Sequence, residues 1–189
     1  MLEETKKSLL ASPIVKKGEY NYFVNAISDG IPEIKPEVLN ELTDAIKKHV
    51  NLDVDKIVSI EAMGIHLGTA LSLATGIPHL VIRKRQYGLE GEKSVTKKTG
   101  YGESTLYINY INSGDKILII DDVVSTGGTL ISLLNALKEY EIDISSVIAI
   151  IDKAGGKNTV EKETGVPLFS LVALDVIDGK VVITGTIED

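Results

Sequence analysis

Short apolar runs alternate along this chain with segments in which apolar residues recur every three to four positions. In KPEVLNELTDAIKKHV (35–50), Val38, Leu39, Leu42, Ala45, Ile46 and Val50 share one stripe behind Pro36, and the spacing predicts a helix. KIVSI (56–60) is an apolar run of strand length. GIHLGTALSLATG (64–76) predicts a helix that closes on Gly76, with Pro78 just beyond. HLVIR (79–83) predicts another strand. The polar, glycine-bearing KRQYGLEGEKSVTKKTGYGES (84–104) predicts a loop, and TLYIN and KILII predict strands. Residues 129–140 place Leu130, Ile131, Leu133, Leu134 and Leu137 on one helical face, and SVIAIID (146–152) is the next strand.

Runs such as ILII and VIAII offer apolar side chains to both faces of a strand. That pattern belongs to a parallel sheet covered by helices on both sides. Right-handed crossovers then build a doubly wound α/β sheet, whose ligands bind beyond the carboxyl ends of the strands. Asp121 and Asp122 follow one such strand, Glu61 a second and Lys153 a third, so three strand ends offer polar groups to one crevice. The two ends of the chain read differently. GEYNYFVNAISDGIPEI fits neither element well, and 168–186 reads as two strands around an Asp178-Gly179 hairpin turn. The expectation is a single domain over 1–189. Its parallel-sheet core spans about 36–165, flanked by helices. A small hood from about 1–35 and 166–189 caps the crevice without joining the sheet.

Composition narrows the classes. With 43% hydrophobic and 25% charged residues among 189, the chain suits one globular domain. A net charge of −7 argues against a nucleic-acid partner. No cysteine is present, which excludes disulfide and thiolate chemistry and fits a reducing compartment. MLEETKKSLL mixes acids and bases and lacks the apolar stretch of a signal peptide, and no run approaches the roughly 20 apolar residues of a membrane span. The expectation is a soluble, cytoplasmic protein that binds neither nucleic acid nor membrane. His49, His66 and His79 fit no metal-ligand spacing.

The chemistry concentrates in ILIIDDVVSTGGTL (117–130). A glycine turn between strand and helix presents main-chain N–H groups to a phosphate, and Ser125, Thr126 and Thr129 add hydroxyls. Neither a GxxxxGK[ST] loop nor a GxGxxG fingerprint is present, and the turn is sized for one phosphate. Asp121 and Asp122, just upstream, are acceptors for sugar hydroxyls or for waters on a magnesium ion. A phosphate site beside a diol site describes a ribose 5-phosphate.

This string closely resembles the phosphoribosyl pyrophosphate motif of the type I phosphoribosyltransferases. The resemblance implies that Asp121 and Asp122 grip the ribose hydroxyls while Ser125, Thr126, Gly127, Gly128 and Thr129 hold the 5-phosphate. It extends to SIEAMGIHLGTALSLATGIPHLVIRK (59–84), where the main-chain amides of Ala62, Met63 and Gly64 are expected to bind pyrophosphate. Relatives often carry arginine at the position of Met63; here Arg83 and Lys84 supply positive charge. Residues 84–104 match the family's flexible lid. KRQYGLEGE, IDKAGG and the N-terminal segment most resemble the archaeal hypoxanthine branch. The implied reaction transfers the 5-phosphoribosyl group to hypoxanthine, with guanine as the other 6-oxopurine, assisted by Mg2+ held through substrate and waters near Asp121 and Asp122. Lys153 suits a 6-oxo group, and Asn25, in a stretch resembling the cap of the xanthine enzymes, faces the base. Many hypoxanthine-guanine enzymes have an aspartate where this chain has Ser125, and Glu103 stands in as the general base by similarity to the adenine enzymes. A homodimer is the family's usual assembly. The alternatives are an adenine or xanthine enzyme, and a non-catalytic regulator that binds the same sugar donor.

Overall fold

The computed structural model describes residues 1–18, 20–99 and 102–188. The chain begins with α1 (Glu3–Leu10), a hairpin of β1 (Ile14–Lys17) and β2 (Tyr20–Phe23), and the short α2 (Ala26–Asp29). The core follows as α3 (Pro36–His49), β3 (Lys56–Ile60), α4 (Gly64–Thr75) and β4 (His79–Ile82). A ribbon of β5 (Lys93–Thr99) and β6 (Gly102–Ile108) leads to β7 (Lys116–Val124), α5 (Gly128–Glu139), β8 (Asp143–Lys153) and α6 (Gly156–Thr164). The chain closes with β9 (Leu168–Ile177) and β10 (Lys180–Thr186).

Among the described residues one six-stranded sheet forms, in the order β10-β9-β8-β7-β3-β4. Its strands run parallel except for β10, which returns antiparallel to β9. The pleat of β7 divides the core. Leu118 and Ile120 face the layer that holds Leu42 and Ile46 of α3 and Leu67 and Leu71 of α4. Ile117 and Ile119 face the opposite layer, with Leu130, Leu133, Leu134 and Leu137 of α5 and Val160 of α6. Each apolar strand is thus buried on both sides, as the continuous runs require.

α3 buries the stripe read from the sequence, and α4 ends where Gly76 turns left-handed at φ 75°. The polar segment 84–104 holds more structure than a loop: β5 and β6 pair in register from Lys93↔Ile108 to Thr99↔Gly102. Val95 and Leu106 of that ribbon are buried in the α5 layer, so its stem belongs to the core. Arg83 and Tyr107 exchange main-chain bonds of 3.0 and 2.7 Å, which fasten the ribbon to the end of β4.

The structure differs from the sequence expectation on where 168–186 go. Both strands enter the sheet instead of standing outside it. The crossover through α6 lays β9 parallel to β8, and Leu168, Leu171, Val172 and Leu174 bury fully, an apolar density that a surface cap does not need. The Asp178-Gly179 turn is a tight two-residue hairpin with both residues left-handed, at φ 50° and 70°. The N-terminal elements pack on the α3 face, with Leu2, Leu9, Phe23 and Ile27 buried there. Glu41 of α3 accepts hydrogen bonds from the main-chain N–H groups of Glu4 and Thr5 at 3.0 and 2.9 Å, capping the start of α1 from a neighbouring helix.

Membership of β9 in the sheet sets a stability test. Leu171→Ala is expected to cost roughly 2–5 kcal/mol, the range for a buried leucine in a packed core. Urea unfolding would report it, and a loss below about 0.5 kcal/mol, typical of a surface position, would contradict the placement.

Candidate active site

β7 carries its acids within the paired strand. Asp121 lies opposite Ala149 of β8, and pairing continues to Val124↔Asp152. Both side chains line one cleft at the carboxyl end of the sheet. Asp121 lies beside the start of α4, and Asp122 faces Ser28 of α2 and His66 of α4. The Asp122 main-chain N–H donates to Asp121 Oδ1 at 3.0 Å. Burial, and then the charge of Asp122, push the Asp121 carboxyl well above the usual carboxylate range, while Lys84 pulls weakly the other way. Burial also pushes Asp122 up. Two carboxylates side by side with little hydration are poorly tolerated as a double negative charge, and this site is ready to receive hydroxyl donors or a cation.

Two helix starts flank the pair. After β7, the chain turns through Ser125, Thr126 and Gly127 into α5, and residues 123–130 with Asp121 line an open bowl of about 170 Å³. Gly127 is left-handed at φ 73°, and a Cβ there would lie 2.5 Å from Val160 Cγ2. Gly156, in the first turn of α6, lies so close that its Cβ would come within 2.1 Å of the Ser125 carbonyl oxygen. The second glycine of IDKAGG thus serves backbone packing beneath the loop, a role with no signature in the sequence because the partner is 31 positions away. On the other side, Glu61, Ala62, Met63 and Gly64 form the turn from β3 into α4, and the Glu61–Ala62 peptide is cis. A Cβ on Gly64 would sit 2.9 Å from the Ile120 carbonyl oxygen and 3.2 Å from Asp121 Oδ1. Only glycine brings the start of α4 this near the acids.

Between the turns lies a cleft of about 390 Å³, within the range of small-ligand sites. Glu61, Ala62, Met63, Lys84, Asp121 and Asp122 line it together with Thr129 and Ser132 of α5. Val95, Ser104 and Leu106 of the ribbon roof it. The sequence groups Arg83 with Lys84 as cations for one ligand group; the structure separates them. Lys84 lines the cleft, whereas Arg83 Nε donates to Glu61 Oε2 at 2.9 Å and its guanidinium lies 6.0 Å from the Tyr87 ring.

Lys153 ends β8 almost fully buried, its ammonium 5.3 Å from the centre of the Phe23 ring, so the N-terminal hairpin covers this end of the sheet. Asn25 is 1% exposed. Its Oδ1 accepts from the N–H groups of Ile27 and Ser28 at 3.0 Å, capping α2, while its Nδ2 is buried without a hydrogen-bond partner among the described residues. The Ser28 hydroxyl faces Asp122 and the His66 imidazole lies on the same side; Ser28 Oγ and His66 Nε2 are buried without a geometrically defined hydrogen-bond partner among the described residues. Burial lowers the His66 pKa, and the Asp122 charge works against that shift. Sequence reading missed Ser28 and Phe23, because their proximity to the site comes from chain folding alone; the ribbon falls largely in the segment read as a lid. His79 is structural: its Nε2 lies 2.7 Å from Ser59 Oγ, in the space that Gly68 leaves open. Glu103 lies in β6, and its side chain falls outside the described residues.

Comparison with known proteins agrees with this geometry. Residues 33–178 match the phosphoribosyl transferase domain. The chain is 58% identical over 189 residues, the full length of both proteins, to the hypoxanthine/guanine phosphoribosyltransferase of Methanobacterium paludis. It is 61% identical over 182 residues, 96% of each protein, to the hypoxanthine/guanine phosphoribosyltransferase of Methanothermus fervidus. Among solved structures, the adenine phosphoribosyltransferase of Thermoanaerobacter pseudethanolicus superposes with a TM-score of 0.75 at 22% identity, covering 92% of this chain and 99% of that one. At that identity the likeness shows a shared fold.

The raised carboxyl pKa values carry a signed consequence. A carboxyl whose folded pKa exceeds its unfolded value binds more protons when folded, so its ionisation erodes stability as pH rises from about 4 through the raised value. Asp121→Asn with Asp122→Asn is therefore expected to be stabilised over the wild type more at pH 7 than at pH 4, in urea titrations without ligand. An equal difference at both pH values would remove burial of these charges as the cause.

Proposed function

The chain belongs to the phosphoribosyl transferase family, and from that premise we propose that it transfers the 5-phosphoribosyl group from phosphoribosyl pyrophosphate to hypoxanthine or guanine, as a purine-salvage enzyme. The observation that carries this reading is the acid pair lining one cleft between two helix starts, in a chain more than half identical over its whole length to enzymes of that name. One helix start suits the 5-phosphate, through Ser125, Thr126, Gly127, Gly128 and Thr129. The other suits pyrophosphate, through the amides of Ala62, Met63 and Gly64. The span between them is filled by a ribose whose hydroxyls donate to Asp121 and Asp122.

In the reaction a ring nitrogen of the purine bonds to the anomeric carbon as the bond from that carbon to pyrophosphate oxygen breaks. The bonding pair leaves with pyrophosphate, and the purine loses a proton. Positive charge develops on the ribose, and the two carboxylates stabilise it electrostatically while holding the ring in place. Lys84 offsets negative charge on the leaving group. The ribbon roof excludes water, which would otherwise capture the sugar. At the base end, the Lys153 ammonium donates to a 6-oxo group and has nothing to accept from a 6-amino group, which supports a 6-oxopurine over adenine. Asn25 Nδ2 is a second candidate donor, buried without a partner among the described residues. Glu103 is our candidate for the purine proton, since Ser125 stands where many relatives carry the acid.

The donor set also fits Mg2+, a hard cation that takes oxygen ligands. Asp121 and Asp122 would hold it through its waters and through the bound substrate. When bound, the ion would neutralise charge on the pyrophosphate. A homodimer and a cytoplasmic location complete the proposal, both taken from the family resemblance. Among the described residues no helix is long and apolar enough to cross a membrane.

Two measurements test the assignment. Purified protein with phosphoribosyl pyrophosphate and magnesium should release pyrophosphate with hypoxanthine and guanine and little with adenine, xanthine or uracil. Release with none would favour a regulator that only binds the donor. Asp121→Asn with Asp122→Asn should lower turnover at least about 10²-fold, through lost positioning and charge. Separately, Lys153→Ala should raise KM for hypoxanthine on the order of 10-fold with KM for the sugar donor unchanged, since the site would lose one base-specific donor; a KM for hypoxanthine equal to that of the wild type would discard the base assignment.

A further inference from the structure

Glu61 is an acid in the wall of a cleft that we assign to polyanionic substrate, where an unbalanced carboxylate would repel the ligand. We propose that Glu61 is a positioning residue for pyrophosphate: its carboxylate fixes the main chain of Lys84 while its own charge is cancelled by Arg83, so that Lys84 alone presents net positive charge to the leaving group. This rests on the placement of pyrophosphate at residues 61–64.

The geometry is specific. One oxygen, Glu61 Oε2, accepts both from Arg83 Nε at 2.9 Å and from the Lys84 main-chain N–H at 2.8 Å. The Glu61 main-chain N–H donates to the Ile82 carbonyl at 3.0 Å, so the pyrophosphate turn and the residues just after β4 are tied through both backbone and side chain. From the other side, Arg83 is held by its paired main-chain bonds to Tyr107 of the ribbon. These bonds leave Arg83 and Lys84 little freedom. Charge bookkeeping then favours binding: Glu61 and Arg83 sum to zero, and Lys84 contributes one positive charge. The Lys84 N–H bond, followed by the Arg83 charge, holds the Glu61 carboxyl below the usual range, so the acid stays ionised and paired through the neutral pH range. The side chains differ in kind as well. A guanidinium is suited to a fixed, forked contact with a carboxylate, and an ammonium on a flexible stem to a phosphate group that arrives and leaves.

The test measures pyrophosphate affinity by calorimetry in the presence of magnesium, alongside KM for both substrates and the thermal midpoint. Lys84→Gln should weaken pyrophosphate binding and raise KM for phosphoribosyl pyrophosphate on the order of 10-fold, leaving KM for hypoxanthine unchanged. Glu61→Ala should move the same two constants in the same direction. Glu61→Gln should lie nearer the wild type, because its amide oxygen still accepts the Lys84 N–H. Arg83→Met should weaken pyrophosphate binding by exposing the Glu61 charge, and the double change Glu61→Gln with Arg83→Met should recover most of that loss. A double variant no better than Arg83→Met would show that Arg83 itself grips pyrophosphate, and would overturn the inference. If Lys84→Gln weakens binding and Glu61→Ala does not, positioning by Glu61 fails while the pyrophosphate assignment stands. If Lys84→Gln changes nothing, the assignment of pyrophosphate to this turn fails first. A loss in Glu61→Ala that follows the thermal midpoint and spreads equally to KM for hypoxanthine would mark a general structural role and reject specific positioning.

Discussion

Two adjacent carboxylates on β7, held where neither is well hydrated, set the terms for the rest of the molecule. Such a pair disfavours the empty, doubly charged state and rewards a ligand that brings hydroxyl donors, positive charge or both. The cost is borne by a sheet whose central strands are apolar on both faces, with Ile117, Leu118, Ile119 and Ile120 each fully buried just before the acids. Rigid support lets an unfavourable group persist at a defined place.

The two helix starts beside the pair are brought in by close main-chain packing. Gly64 admits the start of α4 and Gly156 lets α6 press beneath the phosphate loop, each at a distance where a methyl group would collide with a carbonyl oxygen. The result is two helix starts that converge on one short stretch of strand. Both acids line the same cleft, where Asp122 answers to Ser28 of α2 and His66 of α4, and Asp121 to Lys84.

The ribbon and the Glu61–Arg83–Lys84 cluster show how charge is apportioned in the cleft. Lys84 lies near enough to act on Asp121, while Arg83, its neighbour in sequence, is consumed by Glu61. Two consecutive cations therefore do different work, one compensating an acid and the other lining the cleft. The roof over them is no loose flap at its base, since Val95 and Leu106 belong to the α5 core.

Local pattern was enough for much of this. The helical stripe of α3, the apolar runs of β3, β7 and β8, the left-handed stop at Gly76 and the Asp-Gly hairpin each depend on residues within a few positions of one another, so the sequence alone determined them. The acid pair and the glycine turn were legible for the same reason, being contiguous. What only tertiary structure decided involves partners far apart in the chain. Gly156 meets Ser125, Glu61 takes Arg83, Phe23 covers Lys153, and β9 enters the sheet because α6 delivers it beside β8. Hydrophobic periodicity reports that a segment buries a face; it carries no information about which distant face it is buried against.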